Sequence, residues 1–521
     1  MTRPVCLIIR DGWGHRQEKT GNAVASANIP FVGGLLENPA AWTLLEAAGQ
    51  PVGLPDGYQG SSEVGHLNMG AGRIVIQELK RIDDGLKDGS FFALKAFRDL
   101  ITSWKASGGS LHLMGLLQDE GVHAHQEHLF KIMKRCREEH PTGQMVIHPF
   151  LDGRDTPPRS SPQFLAKLEK VMASVPPVRL GVMMGRYYAM DRSRDWELND
   201  RAFRALVLGE GAHFTGPPIA AVENCWNTEK TPDGFDMVDE YIPPLVSDGY
   251  QGIKDGDCVV HTNFRQDRAI ELTQAFVEDN YPGQRPVRPK VTYLGLTRYY
   301  DEFPNYLLGP MGGDEGMPNL LGEIVSRAGL RQLRLAETQK FRHVTSFFNG
   351  KSTKPFPLED QIEIKGRFDP ATFASHPEME AHILTKEFLT KYLPEGYPLI
   401  VINYANCDMV GHTGVMEAAI KAVETVDVCL AQIVPALLEA GYQVLISADH
   451  GNAEEMIDHE TGLVKTSHTM FPVECIYVAK EPVAVLKGNR GKLSDLAPTI
   501  LDLMGLATPP DMTAESLVVL K

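Results

Sequence analysis

Aspartate and histidine recur in short clusters near the C-terminal end of this chain, with spacings suited to binding a metal ion. Asp408 stands four residues before His412 in NCDMVGHTG, and SADHGN places Asp449 beside His450. His468 follows in TSHTM. Carboxylate and imidazole ligands without a thiolate suit Mn²⁺ or Zn²⁺ better than a soft metal. These clusters therefore predict a site for a divalent cation.

The N-terminal part of the chain adds an aspartate and a pair of serines to this set. Asp11 follows an apolar run in IIRDGWG, and Ser61 and Ser62 stand together in QGSSEVGHLNMGAGR. A serine hydroxyl needs activation to act as a nucleophile, and a divalent ion can supply it. Serine followed by glutamate is also common at helix starts, so a simple N-cap is the alternative reading. The residues alone leave open which serine would react.

Taken together, these side chains are numerous enough for two metal sites of roughly three or four ligands each. Two divalent ions can activate an oxygen nucleophile and neutralise phosphoryl oxygens. A single Asp or His is more often a turn former or a surface group. Four such clusters, each at the mouth of an expected strand, are much harder to explain in that way. The set therefore indicates metal-assisted phosphoryl chemistry.

The middle of the chain carries clustered arginines instead. They are Arg154 in LDGRDT, Arg186 and Arg192 in GRYYAMDR, and Arg265 and Arg268 in NFRQDR. Arginine binds a carboxylate or phosphate through parallel hydrogen bonds, which orients the anion as well as attracting it. A solvated surface position is the commoner fate of any one arginine, but the group indicates an anion site. Arg265 and Arg268 would share one face if a helix started there.

Short apolar runs precede these clusters, and helical patterns follow them. Examples are VCLIIRDGWG, QMVIHPFLDGRDT, PLIVINYANCDMVGHTG and YQVLISADHGNAEE. Continuous apolar strands that alternate with helices indicate a buried, mostly parallel sheet and hence an α/β protein. Ligands of such folds bind beyond the carboxyl ends of the strands, which is where the polar clusters stand.

The order of the two kinds of cluster predicts one domain inserted into another. The Asp and His clusters stand near both ends of the chain, and the arginines stand between them. LKRIDDG near residue 80 and LGPMGGDEGMP at residues 308–318 are candidate linkers. We therefore expect a discontinuous metal-binding domain of residues 1–79 and 312–521, with residues 80–311 inserted as a substrate-binding domain.

The composition of the chain limits its class. The net charge of −16 argues against a nucleic-acid or membrane-surface partner. Seven scattered cysteines without CxxC spacing indicate reduced thiols of a cytosolic protein. No apolar run reaches the roughly 18 residues of a spanning helix, and the N-terminus does not have the pattern of a signal peptide. We expect a cytoplasmic protein.

Motifs along nearly the whole chain resemble those of a known enzyme family. They are DGWG, GNAVASANIPF, SSEVGHLNMGAGR, LLQDEGVHAH, LDGRDTPP, GRYYAMDR, NFRQDR, ETQKFRHVT, NYANCDMVGHTG and SADHGNAE. In these motifs the chain resembles the cofactor-independent phosphoglycerate mutases of the alkaline phosphatase superfamily. The resemblance implies an alkaline-phosphatase-like, mostly parallel sheet domain with a second α/β domain inserted. It also implies interconversion of 3-phosphoglycerate and 2-phosphoglycerate in glycolysis and gluconeogenesis, without 2,3-bisphosphoglycerate. The resemblance further implies a monomer, and no long coiled-coil pattern opposes this expectation.

The resemblance further implies a pair of Mn²⁺ ions, with Zn²⁺ or Co²⁺ as alternatives, and a role for each site residue. One ion would be held by Asp408, His412 and His468, and the other by Asp11, Ser62, Asp449 and His450. Ser62, directly before EVGH, would be the nucleophile that forms a phosphoserine, whereas Ser61 stands where the family commonly has Asn. Substrate would be bound by His123, Arg154, Asp155, Arg186, Arg192, Arg265, Arg268 and Lys340. Asp155 would be the general acid and base on the substrate hydroxyls, and Lys340 would stabilise charge on the transferred phosphoryl group.

Two neighbours of His123 are expected to have no part in this chemistry. His125 and His128 should lie on the surface of a helix, because Leu129, Ile132 and other apolar residues give that helix a different buried face.

The chain departs from the family pattern beside some of these residues. Cys407 stands where proline is usual, Asp195 where arginine is customary and Arg342 where alanine is frequent. Rival functions stay open at this point: a related metal-dependent phosphatase, a mutase for another phospho-sugar, or a metal-binding scaffold without catalysis. The phosphatase and the other mutase should lack this combination of arginine motifs.

Overall fold

The computed structural model describes residues 2–232, 234–310, 316–459 and 461–521. The chain forms two compact units, one of Met1–Gln77 with Met311–Lys521 and the other of Glu78–Pro310. Each unit has its own sheet with helices packed against it. The α/β class that the apolar runs predicted is confirmed.

The strands and helices are numbered along the chain. The strands are β1 (Val5–Arg10), β2 (Trp42–Glu46), β3 (Leu111–Leu116), β4 (Met145–Leu151), β5 (Val178–Leu180), β6 (Val182–Gly185), β7 (Ala212–Phe214), β8 (Leu245–Ser247), β9 (Cys258–His261), β10 (Thr292–Thr297), β11 (Tyr306–Leu308), β12 (Gln332–Glu337), β13 (Glu359–Ile364), β14 (Leu399–Tyr404), β15 (Gln443–Ser447), β16 (Val473–Val478), β17 (Ala484–Leu486), β18 (Gly491–Lys492) and β19 (Val518–Leu520). The helices are α1 (Ala23–Ser26), α2 (Pro30–Leu36), α3 (Ser62–Ala71), α4 (Glu78–Asp88), α5 (Lys95–Ser107), α6 (Gln126–Glu139), α7 (Ser161–Ser174), α8 (Arg186–Ala189), α9 (Trp196–Leu208), α10 (Pro218–Thr228), α11 (Ile270–Val277), α12 (Leu321–Arg327), α13 (Ala381–Glu387), α14 (Asn406–Gly411), α15 (Met416–Glu439) and α16 (Leu496–Met504).

The sheet of the first unit has β1 near its centre, in the order β13-β12-β14-β1-β15-β16-β2-β18. β1 is parallel to both neighbours, with Val5 opposite Leu399 of β14 and Gln443 of β15. β16 is antiparallel to β15 and to β2. β1, β14 and β15 are buried along their whole length, which explains their continuous apolar sequences. Full burial of each large apolar side chain contributes about 1.5–3 kcal/mol.

The sheet of the second unit has the order β11-β10-β9-β3-β4-β6-β8-β7, with β5 beside β4. β9, β3, β4 and β6 are neighbouring parallel strands, whereas β8 runs antiparallel to β6. Their carboxyl ends therefore lie at one edge of the sheet, followed by the arginine motifs. The core of this unit is separate, with Phe150, Phe203 and Tyr299 among its large buried side chains.

One of the two stretches expected as linkers forms a helix, and the other lies partly outside the described residues. LKRIDDG lies inside α4, where Leu79, Ile82 and Leu86 are buried on one face. Their helical spacing outweighs the turn signal of the polar residues. In LGPMGGDEGMP, β11 ends at Leu308, and residues 311–315 lie outside the described residues. Within the described ranges, no helix has both the length and the hydropathy needed to cross a bilayer.

The expectation of two surface histidines on α6 was wrong for His128. His128 is fully buried, and its Nε2 lies 2.9 Å from Asp83 Oδ1 of α4. His125 is the N-cap of α6, and its ring accepts the N–H of Glu127. The packing of α4 against α6 supplies a carboxylate partner for the imidazole, and the sequence of α6 alone does not show this partner.

Candidate active site

The serine pair lies at the start of α3, and the two hydroxyls have different surroundings. Ser61 is the N-cap, and its Oγ accepts the N–H of Val64 at 3.4 Å. Ser62 is the first helical residue and is buried. Its Oγ lies 2.9 Å from His450 Nε2 and 3.2 Å from Asp11 Oδ1. Ser61 therefore caps the helix, whereas the hydroxyl of Ser62 lies among the Asp and His side chains.

Three neighbouring strands of the first unit bring the aspartates together. Asp11 directly follows β1, Asp408 lies in α14 just after β14, and Asp449 follows β15. β14 and β15 flank β1 on either side. The backbone N–H of Asp408 also donates to the carbonyl of Asp11 at 3.0 Å. All three carboxylates are buried.

Lys340 places an ammonium group among these carboxylates. Its Nζ lies 2.6 Å from Asp11 Oδ1, 2.6 Å from Asp408 Oδ2 and 2.5 Å from Ser62 Oγ. Burial lowers the pKa of Lys340, but Asp11, Asp408 and Asp449 outweigh burial and raise that pKa above its ordinary value. The lysine is therefore charged. One buried cation among three buried carboxylates leaves an excess of negative charge, which is costly without further cations.

Two histidines complete a first group of ligand-capable atoms. His412 Nδ1 lies 2.6 Å from the carbonyl of Thr466, and His468 Nδ1 lies 2.9 Å from that of Gly60. A ring nitrogen that donates to a carbonyl leaves Nε2 as the acceptor. The two Nε2 atoms are 3.2 Å apart, and they lie 3.2 Å and 3.1 Å from Asp408 Oδ1. Acceptors that converge in this way fit a divalent ion between them.

A second group surrounds Ser62. His450 Nδ1 lies 3.2 Å from the carbonyl of Gly451, and its Nε2 lies 3.5 Å from Asp11 Oδ1 and 3.6 Å from Asp449 Oδ2. Asp449 Oδ1 accepts two backbone N–H groups. Asp449 Oδ2 is buried, and the described groups nearest to it are the ring nitrogens of His66 at 3.2 Å and His450 at 3.6 Å. A buried anionic oxygen beside an imidazole Nε2 fits a second cation.

His66 and Asn403 belong to this site but were missed in the sequence. His66 Nδ1 lies 2.8 Å from the carbonyl of Ser62 and 3.2 Å from Asp449 Oδ2. Its Nε2 accepts from the Asn403 amide at 3.0 Å, and that amide also donates to Asp11 Oδ2 at 2.8 Å. The signal was present for His66, since it stands one helical turn after Ser62.

In the second unit, Arg186 is buried on two carboxylates. Its Nη1 lies 2.7 Å from Asp152 Oδ1 and 2.6 Å from Asp155 Oδ2. Asp152 Oδ1 also accepts the backbone N–H groups of Arg154 and Asp155. Asp152 was missed, although it stands in LDGRDT. The Asp152 carboxylate therefore binds both the backbone of the turn after β4 and the side chain of Arg186, which directly follows β6.

The Asp267 carboxylate lies near three of the residues that were expected to bind substrate. It accepts from Arg192 Nη1 at 2.6 Å and from Arg265 Nε at 3.1 Å. His123 Nδ1 lies 3.6 Å from Asp267 Oδ1. Burial, followed by the nearby arginines, lowers the pKa of His123 to about 2, so its imidazole is neutral. Asp267 was also missed, although it stands in NFRQDR.

The remaining arginines complete a cationic group. Arg268 Nη1 donates to the carbonyl of Met190 at 3.0 Å. Burial, followed by the guanidinium groups of Arg192, Arg186 and Arg154, lowers the pKa of Arg268 to about 10. Arginines that repel one another in this way favour a bound anion.

Arg265 and Arg268 do not lie on a helix, so the condition for their sharing one helical face is not met. α11 begins only at Ile270, and both arginines lie in the preceding loop. The loop is held by Phe264 and Arg265, whose N–H groups both point to the carbonyl of His123. This long-range contact is not visible in the local sequence.

Comparison with known proteins places this architecture in a family. A family model described as Metalloenzyme superfamily matches residues 3–508. A curated relative from Methanosarcina acetivorans, named 2,3-bisphosphoglycerate-independent phosphoglycerate mutase 2, is 42% identical over 99% of this chain and 97% of its own length. The chain belongs to the 2,3-bisphosphoglycerate-independent phosphoglycerate mutase family, a family of isomerases.

Further mutases of this family support the assignment. The 2,3-bisphosphoglycerate-independent phosphoglycerate mutase of Syntrophotalea carbinolica is 44% identical, with 99% of this chain and 98% of the relative covered. A crystal structure of Leishmania mexicana phosphoglycerate mutase at low cobalt concentration matches with a TM-score of 0.80 and 31% identity. That match covers 100% of this chain and 98% of the other. The expected family and the expected enzyme class are thus confirmed.

Proposed function

We propose that this chain interconverts 3-phosphoglycerate and 2-phosphoglycerate through a phosphoserine on Ser62. The observation that carries the proposal is the position of Ser62 Oγ, within 2.5–3.2 Å of Lys340 Nζ, His450 Nε2 and Asp11 Oδ1. The start of α3 adds backbone N–H groups and a helix dipole that favour a phosphoryl anion. The mutase names of the relatives support the substrates.

We propose Mn²⁺ as the resident ion of both ligand groups. Asp408, His412 and His468 would hold one ion, and Asp11, Ser62, Asp449 and His450 the other; carboxylate and imidazole atoms of the first set converge within 4.8 Å. When bound, such ions lower the pKa of a coordinated hydroxyl and neutralise phosphoryl charge. The converging Nε2 atoms of His412 and His468, and the buried Asp449 Oδ2 beside His450 Nε2, support this role for the side chains.

In the first half-reaction, the deprotonated Ser62 oxygen attacks the phosphorus of 3-phosphoglycerate. The bond from phosphorus to the substrate's 3-oxygen breaks as the Ser62 bond forms, and Asp155 supplies a proton to the departing oxygen. The ammonium of Lys340, already beside Ser62 Oγ, stabilises the negative charge on the phosphoryl oxygens. The products are phosphoserine and glycerate.

In the second half-reaction, glycerate presents its 2-hydroxyl to the phosphoserine. Asp155 removes the hydroxyl proton, and the oxygen takes the phosphoryl group from Ser62 to give 2-phosphoglycerate. The carboxylate of glycerate stays on the arginine group of the second unit between the two steps. This retention distinguishes a mutase from a phosphatase, because released glycerate would leave phosphoserine to react with water.

The serine pair provides a matched test of the proposal. Incubation with 2-phosphoglycerate and Mn²⁺, followed by mass spectrometry of the intact protein, should show one added phosphoryl group on the wild type and none on Ser62→Ala. Ser61→Ala removes only the helix cap, which costs about 1 kcal/mol of stability. The Ser61→Ala variant should still be phosphorylated. A phosphoryl group on Ser62→Ala would refute the proposal.

A further inference from the structure

Glu271 is a buried carboxyl group to which the proposed reaction gives no role. It lies in the first turn of α11 and is 6% exposed. Its Oε1 accepts the backbone N–H of Arg194 at 3.0 Å. Its Oε2 is buried and has no hydrogen-bond donor in the described part of the chain. A carboxylate in this position is costly, whereas a protonated carboxyl can donate from Oε2.

The loop of residues 191–195 is organised around a second carboxyl group, that of Asp191. Asp191 Oδ2 accepts the N–H groups of Ser193 at 3.0 Å and Asp195 at 2.9 Å, and Oδ1 accepts the Ser193 hydroxyl at 2.7 Å. Arg194 in this loop has a φ of 65°, a conformation that costs about 1–2 kcal/mol for a residue with a side chain. The contact between Arg194 and Glu271 helps to hold that conformation.

The same loop carries Arg192, one of the proposed substrate ligands. Arg192 Nη1 lies 2.6 Å from Asp267 Oδ2. Asp267 stands four residues before Glu271 in the sequence. One short segment of chain therefore holds both the side chain of Arg192 and the backbone of its loop.

The side chains of Glu271 and Asp191 lie close enough for a hydrogen bond between them to act on the pKa of both groups. Two carboxyl groups can share a hydrogen bond only if one of them keeps its proton. Burial raises the pKa of Asp191, but the hydrogen bonds from Ser193 and Asp195 outweigh burial and hold that pKa below its ordinary value. Burial, followed by Asp191, raises the pKa of Glu271 to about 7. The shared proton therefore belongs to Glu271.

The other groups around Glu271 do not supply a competing proton donor to Oε2. Arg194 opposes the rise in the pKa of Glu271 through its N–H and its charge. From α9, Asn199 donates to the backbone carbonyl of Glu271. Beyond α11, the hydroxyl of Tyr281 donates to Asp200.

We propose that Glu271 is a positioning residue for Arg192: in its protonated form it bridges Asp191 and the Arg194 backbone and so holds the loop that presents Arg192 to the substrate anion. This inference rests on the proposed function, which gives Arg192 its role. The ordinary pKa of a glutamate carboxyl group is 4.5, and the pKa of Glu271 in the folded protein is about 7. The stabilisation is thus complete below the ordinary value and is lost as the pH rises through about 7.

Steady-state kinetics with 3-phosphoglycerate and saturating Mn²⁺ test the positioning role. Glu271→Ala should raise KM about tenfold with little change in kcat, because it removes hydrogen bonds to the loop and not to the reacting atoms. Glu271→Gln keeps an acceptor for Arg194 and a donor for Asp191 at every pH. The ratio of wild-type KM to Glu271→Gln KM should therefore rise about three- to tenfold between about pH 6 and about pH 8. Taking this ratio cancels the titration of the substrate and of the metal ligands.

Hydrogen exchange at the Arg194 amide tests the same inference without turnover. At one fixed pH, Glu271→Ala should exchange this amide about tenfold faster than Glu271→Gln does, as expected for loss of one hydrogen bond. Asp191→Asn should remove the pH dependence, which keeps the inference testable if Glu271→Ala fails to fold.

The outcomes separate this inference from the proposed function. If Arg192→Ala leaves KM unchanged, the proposed role of Arg192 in substrate binding is wrong. If Arg192→Ala raises KM while Glu271→Ala does not, or if the KM ratio stays flat with pH, the positioning role of Glu271 is wrong. Equal exchange of the Arg194 amide in the two Glu271 variants would also overturn it.

Discussion

At the scale of single residues, the site depends on a few buried charges that compensate one another. Lys340 contacts Asp11, Asp408 and Ser62 within 2.6 Å, and it is itself buried. Removing one partner of a buried ion pair leaves an uncompensated charge, at a cost of about 3–5 kcal/mol. The lysine therefore supports both the fold of the site and, in our proposal, the transferred phosphoryl group.

Lys340→Met should separate these two contributions. Methionine keeps much of the volume and removes the charge, so we expect the protein to lose about 3–5 kcal/mol of unfolding free energy in chelator. Mn²⁺ should restore most of that loss, while kcat remains lower by about 10²–10³-fold. Urea unfolding with and without Mn²⁺ and steady-state kinetics measure the two effects. Lys95→Met, at an exposed position, is the control and should change neither. Full activity of Lys340→Met would contradict the assigned role.

At the scale of elements, α3 packs closely against the loop after β15. This close approach requires glycine at position 65. A Cβ added there would lie 2.6 Å from the Asp449 carbonyl oxygen and 2.8 Å from the Asp449 Cβ. Ser62 and His66 stand on the same helix, so any displacement of α3 moves them relative to Asp449. The helix is thus fixed by backbone contact as well as by its cap.

Gly65→Ala should weaken metal binding although alanine is the better helix former. The added methyl group has to push α3 away from Asp449, which we expect to lower Mn²⁺ affinity about 10–100-fold, as for other changes around metal ligands. Titration calorimetry on the chelator-treated protein measures this affinity. Gly34→Ala in α2 is the matched control, because its Cβ would meet no atom within 4 Å. That control should leave affinity unchanged and add about 0.5–1 kcal/mol of stability. Wild-type affinity in Gly65→Ala would show that the contact does not position Asp449.

The elements also show which features the sequence made predictable. The apolar runs of β1, β14 and β15 indicated a parallel sheet, and the polar residues directly after them lie together because the strands are neighbours. Asp152 and Asp267 were not predicted, because each of them pairs with an arginine of a different motif, Arg186 and Arg192 respectively. The burial of His128 could not be predicted from α6 alone, because its partner Asp83 lies on α4. Pairings between distant segments were thus the part that local patterns did not supply.

At the scale of the whole molecule, the two kinds of chemistry are divided between the two units. The Asp and His groups with Ser62 lie in the first unit, and the clustered arginines lie in the second. The chain carries a net charge of −16, so the arginines form a local exception to its acidic character. The excess of buried carboxylates in the first unit links its stability to bound cations.

Metal removal should therefore lower the thermal stability of the protein. A ligand that binds only the folded state stabilises it by about 2.7 kcal/mol at a hundred times its Kd. We expect the Tm to fall in chelator and to rise with Mn²⁺ concentration. Differential scanning calorimetry follows this rise, and Asp408→Asn should reduce it because one ligand group is weakened. A Tm that is independent of Mn²⁺ would argue against resident ions in either group.

Phosphorus NMR of the purified protein with Mn²⁺ and 3-phosphoglycerate, without 2,3-bisphosphoglycerate, tests the proposed reaction most directly. Our proposal predicts that the 2-phosphoglycerate signal grows until the two isomers reach equilibrium, with no inorganic phosphate. Growth of inorganic phosphate instead would mean that Ser62 and its ligand groups work while glycerate is not retained. In that case the chain would act as a phosphatase, and the proposed mutase mechanism would be wrong.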